Sequence, residues 1–464
     1  MTPPTQPTST SLERRLGPLD AAAIIVANVI GGGILFTPPL IAAHVPHPGL
    51  FLTTWLVGGA LAFCGAVAYA ELAALRPRAG GEYVYLRDAY GPLAGFLTGW
   101  TSFVAGFAAP AAASAMVIVL YLERFVPGVA NSTPFLTIPL PYLPLTFSRQ
   151  TLVALAAVWL FALVHIRGVG PGRLVSNVLA TLKVTALLVF IAVGLTMGTG
   201  SSANLQQAAG TVAPTGFLLA LIPVMFTYSG WNAAAYMAEE VKEPGRNMPL
   251  ALILGTTAVI VIYLLLNVLY LYVMPVAELA AVKGSVLDVV AERLLGARAG
   301  DIMGVVSIIS LAAGINAWTF AGPRVYYAMA RDGLFFSAAA RVHPRFKTPA
   351  ASVVAQTLLA TAFILTGSLD AITNYVGFAL TLFAGIAVAA VFVLRSREPE
   401  APRPYRALGY PITPAIFVSA CALIVINAIY TAPGTFLTGA AVIAAGIPLY
   451  FWFSRRGRTA RREA

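Results

Sequence analysis

Twelve long apolar runs follow one another along this chain of 464 residues, and they decide its fold class. A bilayer core of about 30 Å is crossed by about 20 helical residues, so each run is long enough to span a membrane. The fourth and ninth are the shortest. The runs cover residues 19–43, 49–75, 91–121, 150–166, 172–198, 214–238, 249–274, 302–330, 350–367, 370–394, 411–431 and 434–453. We therefore predict an all-α polytopic membrane protein with 12 transmembrane helices.

The composition excludes the soluble classes of protein. Only 10% of the residues are charged and 59% are hydrophobic, whereas soluble domains carry about 25% charged residues. The sequence has no HExxH, CxxC, GxxxxGK[ST] or GxSxG motif, so we predict neither an enzyme nor a bound metal or cofactor. Cys64 and Cys421 lie inside apolar runs and do not indicate a disulfide framework.

The positive charges indicate how the chain is oriented. Loops on the cytoplasmic side of membrane proteins are rich in Lys and Arg. With the N-terminus inside, 22 of the 29 basic residues fall in cytoplasmic segments and five fall outside. We therefore predict a multi-pass protein of the plasma (inner) membrane with both termini cytoplasmic. The net charge of +11 then reflects topology, and we predict the lipid bilayer but no nucleic acid as a partner.

Two tails flank the predicted membrane domain. Residues 1–16 are rich in Pro, Thr and Ser, and we predict a disordered cytoplasmic tail there. Residues 17–454 are predicted to form one transporter domain, and residues 455–464 a basic cytoplasmic tail.

The first span contains three consecutive glycines, Gly31, Gly32 and Gly33. Small residues can serve close helix packing, but consecutive glycines point around the whole helix and do not form one face. Each costs nearly 1 kcal/mol of helix propensity. We therefore predict that the helix unwinds at these glycines, within residues 28–39.

The sixth span contains a weaker signal of the same kind, where Gly230 lies among Thr, Ser and Asn. The first and sixth spans are corresponding members of two five-helix halves, residues 19–198 and 214–394, which precede two extra helices in 411–453. Paired interrupted helices indicate a secondary transporter with inverted repeats, whose exposed backbone groups bind substrate near the midplane. An amino acid zwitterion fits this chemistry.

Two basic residues lie within the predicted spans. Lys183 is near the middle of the fifth span, where an ionisable residue is a functional candidate by default. It could release a proton, or its ammonium could substitute for a bound cation. Arg324 lies two turns from the cytoplasmic end of the eighth span, and we expect it to reach the interface as an anchor.

The motifs resemble the amino acid–polyamine–organocation superfamily, and within it the L-amino-acid transporter branch, over roughly residues 17–430. The resemblance implies a five-plus-five inverted repeat with broken helices 1 and 6 and two extra C-terminal helices. The segments that carry it are residues 30–34, 69–72, 77–86, 226–232, 239–249, 324–333, 343–349 and 403–411.

The resemblance also implies residue roles. The backbone N–H groups of Gly32 and Gly33 would hold the substrate carboxylate. Carbonyls of Val29 or Ile30, and of Phe226 and Ser229, would meet the ammonium. The implied substrate site comprises Val29, Ile30, Gly31, Gly32, Gly33, Phe226, Ser229, Gly230 and Asn232. Phe226 stands where the branch has an outer gate. Lys183 matches a lysine that replaces a sodium ion in sodium-independent members, where it couples the first and eighth helices or carries a proton.

Two departures from the branch bear on substrate and partner. Gly32 replaces the usual serine, which removes a hydroxyl but keeps the N–H. Eukaryotic members bond a heavy chain through a cysteine after helix three, but residues 122–149 contain none. The resemblance therefore implies a single-chain, prokaryotic-type transporter without a disulfide-linked heavy chain, as a monomer or weak homo-oligomer.

These observations predict a sodium-independent amino acid transporter that works by alternating access, as an exchanger or a proton symporter. The pocket near Gly31 is expected to be small and apolar with no acid aimed at it, which favours neutral L-amino acids. The alternatives are a cationic amino acid or polyamine transporter of the same fold, and a transport-dead sensor or interaction protein. A channel is disfavoured, because the spans show no continuous polar stripe or charged ring.

Overall fold

The computed structural model describes residues 12–141, 143–367, 369–431 and 433–463, and the side chains of these except 369–376, 435 and 456–463. Almost all regular structure in this part of the chain is helical. The helices are α1 (Pro18–Val29), α2 (Gly32–Phe36), α3 (Pro38–His44), α4 (Pro48–Leu75), α5 (Glu82–Tyr90), α6 (Pro92–Thr101), α7 (Ala108–Leu122), α8 (Arg149–Ile166), α9 (Val169–Thr196), α10 (Pro214–Tyr228), α11 (Pro244–Val273), α12 (Val276–Ala280), α13 (Val286–Leu295), α14 (Ala297–Arg331), α15 (Ala350–Thr366), α16 (Leu369–Arg397), α17 (Ile412–Thr431) and α18 (Pro433–Glu463).

Shorter elements complete the fold. A π-helical turn, Ser102–Phe107, joins α6 to α7, and 3₁₀ turns cover Ser202–Leu205, Ala233–Glu240 and Ser337–Ala340. An antiparallel hairpin pairs β1 (Leu136–Ile138) with β2 (Leu145–Phe147), with Thr137 opposite Thr146.

Eleven of the twelve predicted spans are confirmed by long apolar helices at the expected positions. Within the described residues, 11 helical segments are long and apolar enough to cross a membrane, and the shorter apolar helix α15 coincides with the ninth predicted run. The first segment, Pro18–Phe36, is shorter than predicted because Pro38 and Pro39 start α3 as a separate helix. The protein is an all-α polytopic membrane protein.

Corresponding helices of the two predicted halves pack against each other. The second span, α4, packs on the seventh, α11; the third, which ends in α7, packs on α14; and α8 packs on α15. The short helix α1 lies in the centre, in contact with α9, α11 and α14. This pairing agrees with two related halves, and the inverted symmetry itself stays a prediction.

Connections between the spans form two opposite sides of the molecule. We call the side that carries residues 12–17, α5 and the α14–α15 connection the N-terminal side. The other side, which carries β1, β2 and α13, is called the opposite side.

The N-terminal segment differs from the prediction in the part that the structure describes. Leu12 and Leu16 are buried, and Leu16 forms a parallel bridge with Val241. Disorder is therefore wrong for residues 12–16, because two leucines among polar residues find an apolar surface to cover. Residues 1–11 lie outside the described part, and at the other end α18 continues to Glu463.

Candidate substrate site

The first span is interrupted as predicted. Helix α1 ends at Val29, and α2 starts at Gly32. Between them Ile30 adopts an extended conformation (φ −75°, ψ 94°), and Gly31 has φ −144° and ψ −145°. The last carbonyls of α1 and the first N–H groups of α2 are thereby freed from helical hydrogen bonds in the interior of the bundle.

The sixth span is interrupted at Ser229 and Gly230. Helix α10 ends at Tyr228, Ser229 turns to ψ 148°, and Gly230 has φ 98°. Only glycine adopts that φ without strain. A Cβ atom at Gly230 would also lie 3.0 Å from Cγ of Asn28, so the two breaks approach each other here. The second half of the span is the 3₁₀ segment Ala233–Glu240.

Two further contacts hold the breaks together. A Cβ atom at Gly33 would lie only 2.9 Å from Cγ2 of Thr227, so this glycine permits close approach of α2 to α10. On α11, the Tyr263 hydroxyl lies 2.8 Å from the carbonyl oxygen of Val29 and 3.2 Å from that of Thr227. The single proton of this buried hydroxyl is therefore shared between the last carbonyl of α1 and a carbonyl in the last turn of α10.

A cavity of about 370 Å³ lies between the two breaks. This volume is at the small end of the range for small-molecule sites, about 300–1,000 Å³. Eight of the nine residues of the predicted substrate site line it: Val29, Gly31, Gly32, Gly33, Phe226, Ser229, Gly230 and Asn232. Ile30 is not on the wall.

Lys183 lies behind the first break, outside the cavity wall. Its side chain is fully buried, and Nζ donates to the carbonyl oxygens of Ala27 (3.1 Å) and Ile30 (2.5 Å). Ala180 on the same helix packs with Ala27 and with Ala313 of α14. The ammonium thus binds carbonyls at the end of α1, where the helix dipole favours positive charge.

The cavity is closed on the N-terminal side and reaches the surface on the opposite side. Two of its wall residues are open to solvent, Phe226 at 43% and Phe36 at 37% of their surface. Trp231 and Tyr236, on the N-terminal side of the second break, are each only 4% exposed.

An ion pair buried on the N-terminal side corrects the expectation for Arg324. Its Nε and Nη2 donate to Oε1 and Oε2 of Glu240 at 2.7 and 3.1 Å, and neither side chain is more than 1% exposed. Arg324 does not extend to the interface. It instead fixes the end of the 3₁₀ segment to α14, because a buried guanidinium requires a partner of opposite charge.

A second buried acid, Glu82, lies on the cavity wall and was missed as a site residue. Its Oε1 accepts hydrogen bonds from the Tyr69 hydroxyl and the Asn232 amide, both at 2.6 Å. Burial raises the pKa of the Glu82 carboxyl. The premise that no acid faces the pocket is therefore wrong. The signal was present in the sequence, since Glu82 follows a glycine pair and precedes the apolar and aromatic run Tyr83–Leu86.

Comparison with known proteins places the chain in a family. The sequence profile of the amino acid permease family matches residues 16–453. The chain belongs to the amino acid permease family.

Named relatives cover nearly the whole permease. Large neutral amino acids transporter small subunit 2 of Mus musculus is 30% identical over 95% of this chain and 81% of its own length. The Homo sapiens protein of the same name is 30% identical over 95% of this chain and 80% of its own length. The b(0,+)-type amino acid transporter 1 of Homo sapiens is 29% identical over 97% of this chain and 89% of its own length.

Family and fold together give the class of protein. The permease is a multi-pass membrane protein that transports amino acids, and it is not an enzyme.

Proposed function

We propose that this permease transports neutral L-amino acids across the plasma membrane by alternating access, without sodium, as an exchanger or a proton symporter. The cavity between the two broken spans is the observation that carries this proposal. Its lining includes Gly32 and Gly33 at the start of α2 and residues at the ends of α1 and α10, so helix N- and C-termini both border it, which suits a zwitterion.

The proposed binding mode uses the ends of the broken helices. The carboxylate is held by the N–H groups of Gly32 and Gly33, which begin α2 and have no acceptor within it. The ammonium faces the carbonyls that end α1 and α10, those of Val29, Phe226 and Ser229, with Ile30 behind the wall. Helix C-terminal ends favour positive charge, so the two helices supply the acceptors without an ionised side chain.

The side-chain specificity is set by the rest of the wall. Among the described residues that line the cavity, Glu82 is the only Asp, Glu, Lys or Arg. Its Oε1 already accepts from Tyr69 and Asn232. A neutral side chain is therefore the proposed preference. One of the named relatives is a large neutral amino acids transporter small subunit, which agrees with this preference, and another is a b(0,+)-type amino acid transporter.

Phe226 is proposed as a gate, and Lys183 as a substitute for a bound sodium ion, because of where their side chains lie. Phe226 is half-exposed where the cavity reaches the surface, so movement of its ring over the opening would occlude the substrate. Lys183 places an ammonium on the carbonyls of Ala27 and Ile30, where a bound cation would otherwise be needed.

The orientation and the assembly state are also proposed. The excess of basic residues on the N-terminal side predicts that this side, with both termini, is cytoplasmic. Cys64 and Cys421 are free and lie within α4 and α17, which supports a chain that works without a disulfide-linked heavy chain.

The test is uptake into proteoliposomes of the purified protein. Labelled L-alanine, L-leucine, L-phenylalanine and L-arginine are offered with and without internal unlabelled amino acid, with and without sodium, and with and without an inward proton gradient. We expect saturable uptake of the neutral probes that does not require sodium. Uptake of none of the probes under any condition contradicts the proposal and favours the transport-dead sensor.

Glu82 favours one second candidate, a transporter of cationic amino acids. An ionised carboxylate on the wall could pair with a substrate ammonium or guanidinium. Arginine uptake that exceeds leucine uptake supports this candidate.

A further inference from the structure

Glu82 is a buried acid without a cationic partner. It is 4% exposed, and none of the ion pairs in the described part of the chain includes it. A carboxylate held by neutral donors alone is costly to keep ionised in an apolar interior, whereas a carboxylic acid is not.

The groups around Glu82 are hydroxyls and one amide. They come from four elements: Tyr69 on α4, Tyr85 on α5 itself, Thr98 on α6, and Asn232 with Tyr236 on the second half of the sixth span. The Thr98 hydroxyl is buried without a hydrogen-bond partner, so an acceptor for a carboxylic acid proton is at hand. These hydroxyls stay neutral while the carboxyl titrates.

Charged groups of the remaining neighbours are paired elsewhere. Asp332, at the end of α14, binds Arg87 and accepts from the Tyr83 hydroxyl. Arg395 of α16 binds Glu71. Among the described residues, no ion pair therefore compensates an ionised Glu82.

Glu82 also stands between the cavity and the N-terminal side. The loop before it is fixed to the 3₁₀ segment, because the N–H of Gly80 donates to the Tyr236 carbonyl (3.0 Å) and that of Ala79 to Oε2 of Glu239 (3.1 Å). Together with the Asn232–Glu82 hydrogen bond, these contacts join residues 79–82 to residues 232–239 on the N-terminal side of the cavity. Opening the N-terminal side must break them and bring water to Glu82.

We propose that Glu82 is the proton-binding site of this permease and that its proton travels with the amino acid. This inference rests on the proposed transport function. While the cavity faces the opposite side, a proton passes from water in the cavity to the Glu82 carboxylate. Once the contacts to Asn232, Tyr236 and Glu239 open, the carboxyl releases the proton to water on the N-terminal side.

The proton state also acts on Asn232. An ionised Glu82 holds the amide nitrogen of Asn232, which leaves the amide oxygen to face the substrate. Protonation weakens Glu82 as an acceptor, which frees the Asn232 amide to donate to the substrate. Substrate and proton are thereby linked through one side chain.

The experiment compares wild type with Glu82→Gln in proteoliposomes, using L-leucine and L-alanine as probes. Two initial rates are measured for each protein: uptake driven by an inward proton gradient, and counterflow exchange with equal pH on both sides. The quantity compared is the ratio of the first rate to the second. We expect this ratio to fall by about tenfold or more in the variant, because glutamine cannot release a proton. Asp288→Asn is the matched control. Burial raises the pKa of Asp288 to about 6, but the residue lies on α13 outside the cavity wall, so its ratio should be unchanged.

The outcomes separate the two proposals. If wild type shows counterflow but a proton gradient does not stimulate its uptake, the proton site is refuted while amino acid exchange remains supported. An unchanged ratio in Glu82→Gln also overturns the proton site. Absence of both activities in wild type refutes the proposed function itself.

A second measurement needs no variant. A pH indicator in weakly buffered detergent solution reports whether wild-type protein takes up protons when L-leucine or L-alanine is added. The measurement is repeated over a range of pH, because a carboxyl that is already protonated takes up no proton. Uptake of protons on binding at some pH supports the proposal, and binding without a proton change at every pH overturns it.

Discussion

At the scale of single residues, the site depends on where side chains are missing. The triple glycine is not uniform: a Cβ atom at Gly33 would meet Thr227 at 2.9 Å, whereas one at Gly32 would meet its nearest neighbours only at 3.9 Å. Gly32 therefore has room for a side chain, whereas Gly33 does not. The contact between the broken spans depends on Gly33.

Gly33→Ala tests this difference. We expect a loss of about 1–3 kcal/mol in stability, because the added methyl must displace α10 through the Thr227 backbone and side chain. The measurement is the thermal unfolding midpoint of the purified protein. Gly32→Ala is the control with the same added methyl, and an equal fall in its midpoint would contradict the explanation.

Tyr263→Phe tests the shared hydroxyl. Its removal takes away the one proton that the carbonyls of Val29 and Thr227 share, which costs about 1–3 kcal/mol for a buried acceptor. Tyr270→Phe is matched to it, since Tyr270 lies on the same helix, is fully buried and has an unpartnered hydroxyl among the described residues. Thermal unfolding should show a clear loss for the first variant and none for the second. A loss in both variants would mean that ring packing matters and the hydroxyl does not.

At the scale of elements, each broken span is held by an unbroken neighbour. Helix α9 reaches the end of α1 through Lys183, and α11 reaches the ends of both α1 and α10 through Tyr263. Continuous helices thus supply the donors that the interrupted ones lack. The first and sixth spans can therefore be interrupted without leaving these backbone carbonyls unpaired inside the membrane.

Lys183→Met tests the α9–α1 contact with a side chain of similar length. Two carbonyls lose their donor, at about 1–3 kcal/mol each, so we expect transport to fall by about tenfold or more while the protein stays folded. Counterflow in proteoliposomes measures the transport, and size-exclusion chromatography reports the folding. Leu182→Ala, a lipid-exposed neighbour, should transport normally. Normal counterflow in Lys183→Met would remove Lys183 from the mechanism.

What the sequence could predict follows how local each signal is. The spans and the first break are set by stretches of apolar residues and glycines, so both were predictable. The partner of Arg324 is 84 residues away, at the end of the interrupted sixth span, and no local pattern reveals that pair. Glu82 differs, since the glycine pair before it and the apolar run after it are a local signal. Its place on the cavity wall, however, depends on Tyr69 of α4 and on Asn232, which are 13 and 150 residues away.

At the scale of the whole molecule, the two sides of the cavity are built differently. The N-terminal side is closed by charged and hydrogen-bonded pairs such as Arg324–Glu240 and Glu82–Asn232, whereas the opposite side is bordered by half-exposed Phe226. The observed conformation is the one in which the cavity opens on the opposite side.

Labelling of a single introduced cysteine tests this sidedness. In a Cys64→Ala, Cys421→Ala background, Phe226→Cys should react with an impermeant thiol reagent added to the opposite side, and substrate should slow the reaction. Ala235→Cys, fully buried beyond the break, should react far more slowly. Faster labelling of Ala235→Cys than of Phe226→Cys would contradict the assigned opening.

The π-helical turn Ser102–Phe107 has a consequence for how such a cavity can change over generations. Its wider turn presents Ser102, Gly106 and Phe107 to the cavity. Since an α-helix advances about 100° per residue, deletion of one residue here would rotate Pro92–Thr101 by about that angle relative to α7. A gain or loss of a single codon, with no substitution at the breaks, is therefore a route by which this permease could acquire a different substrate range.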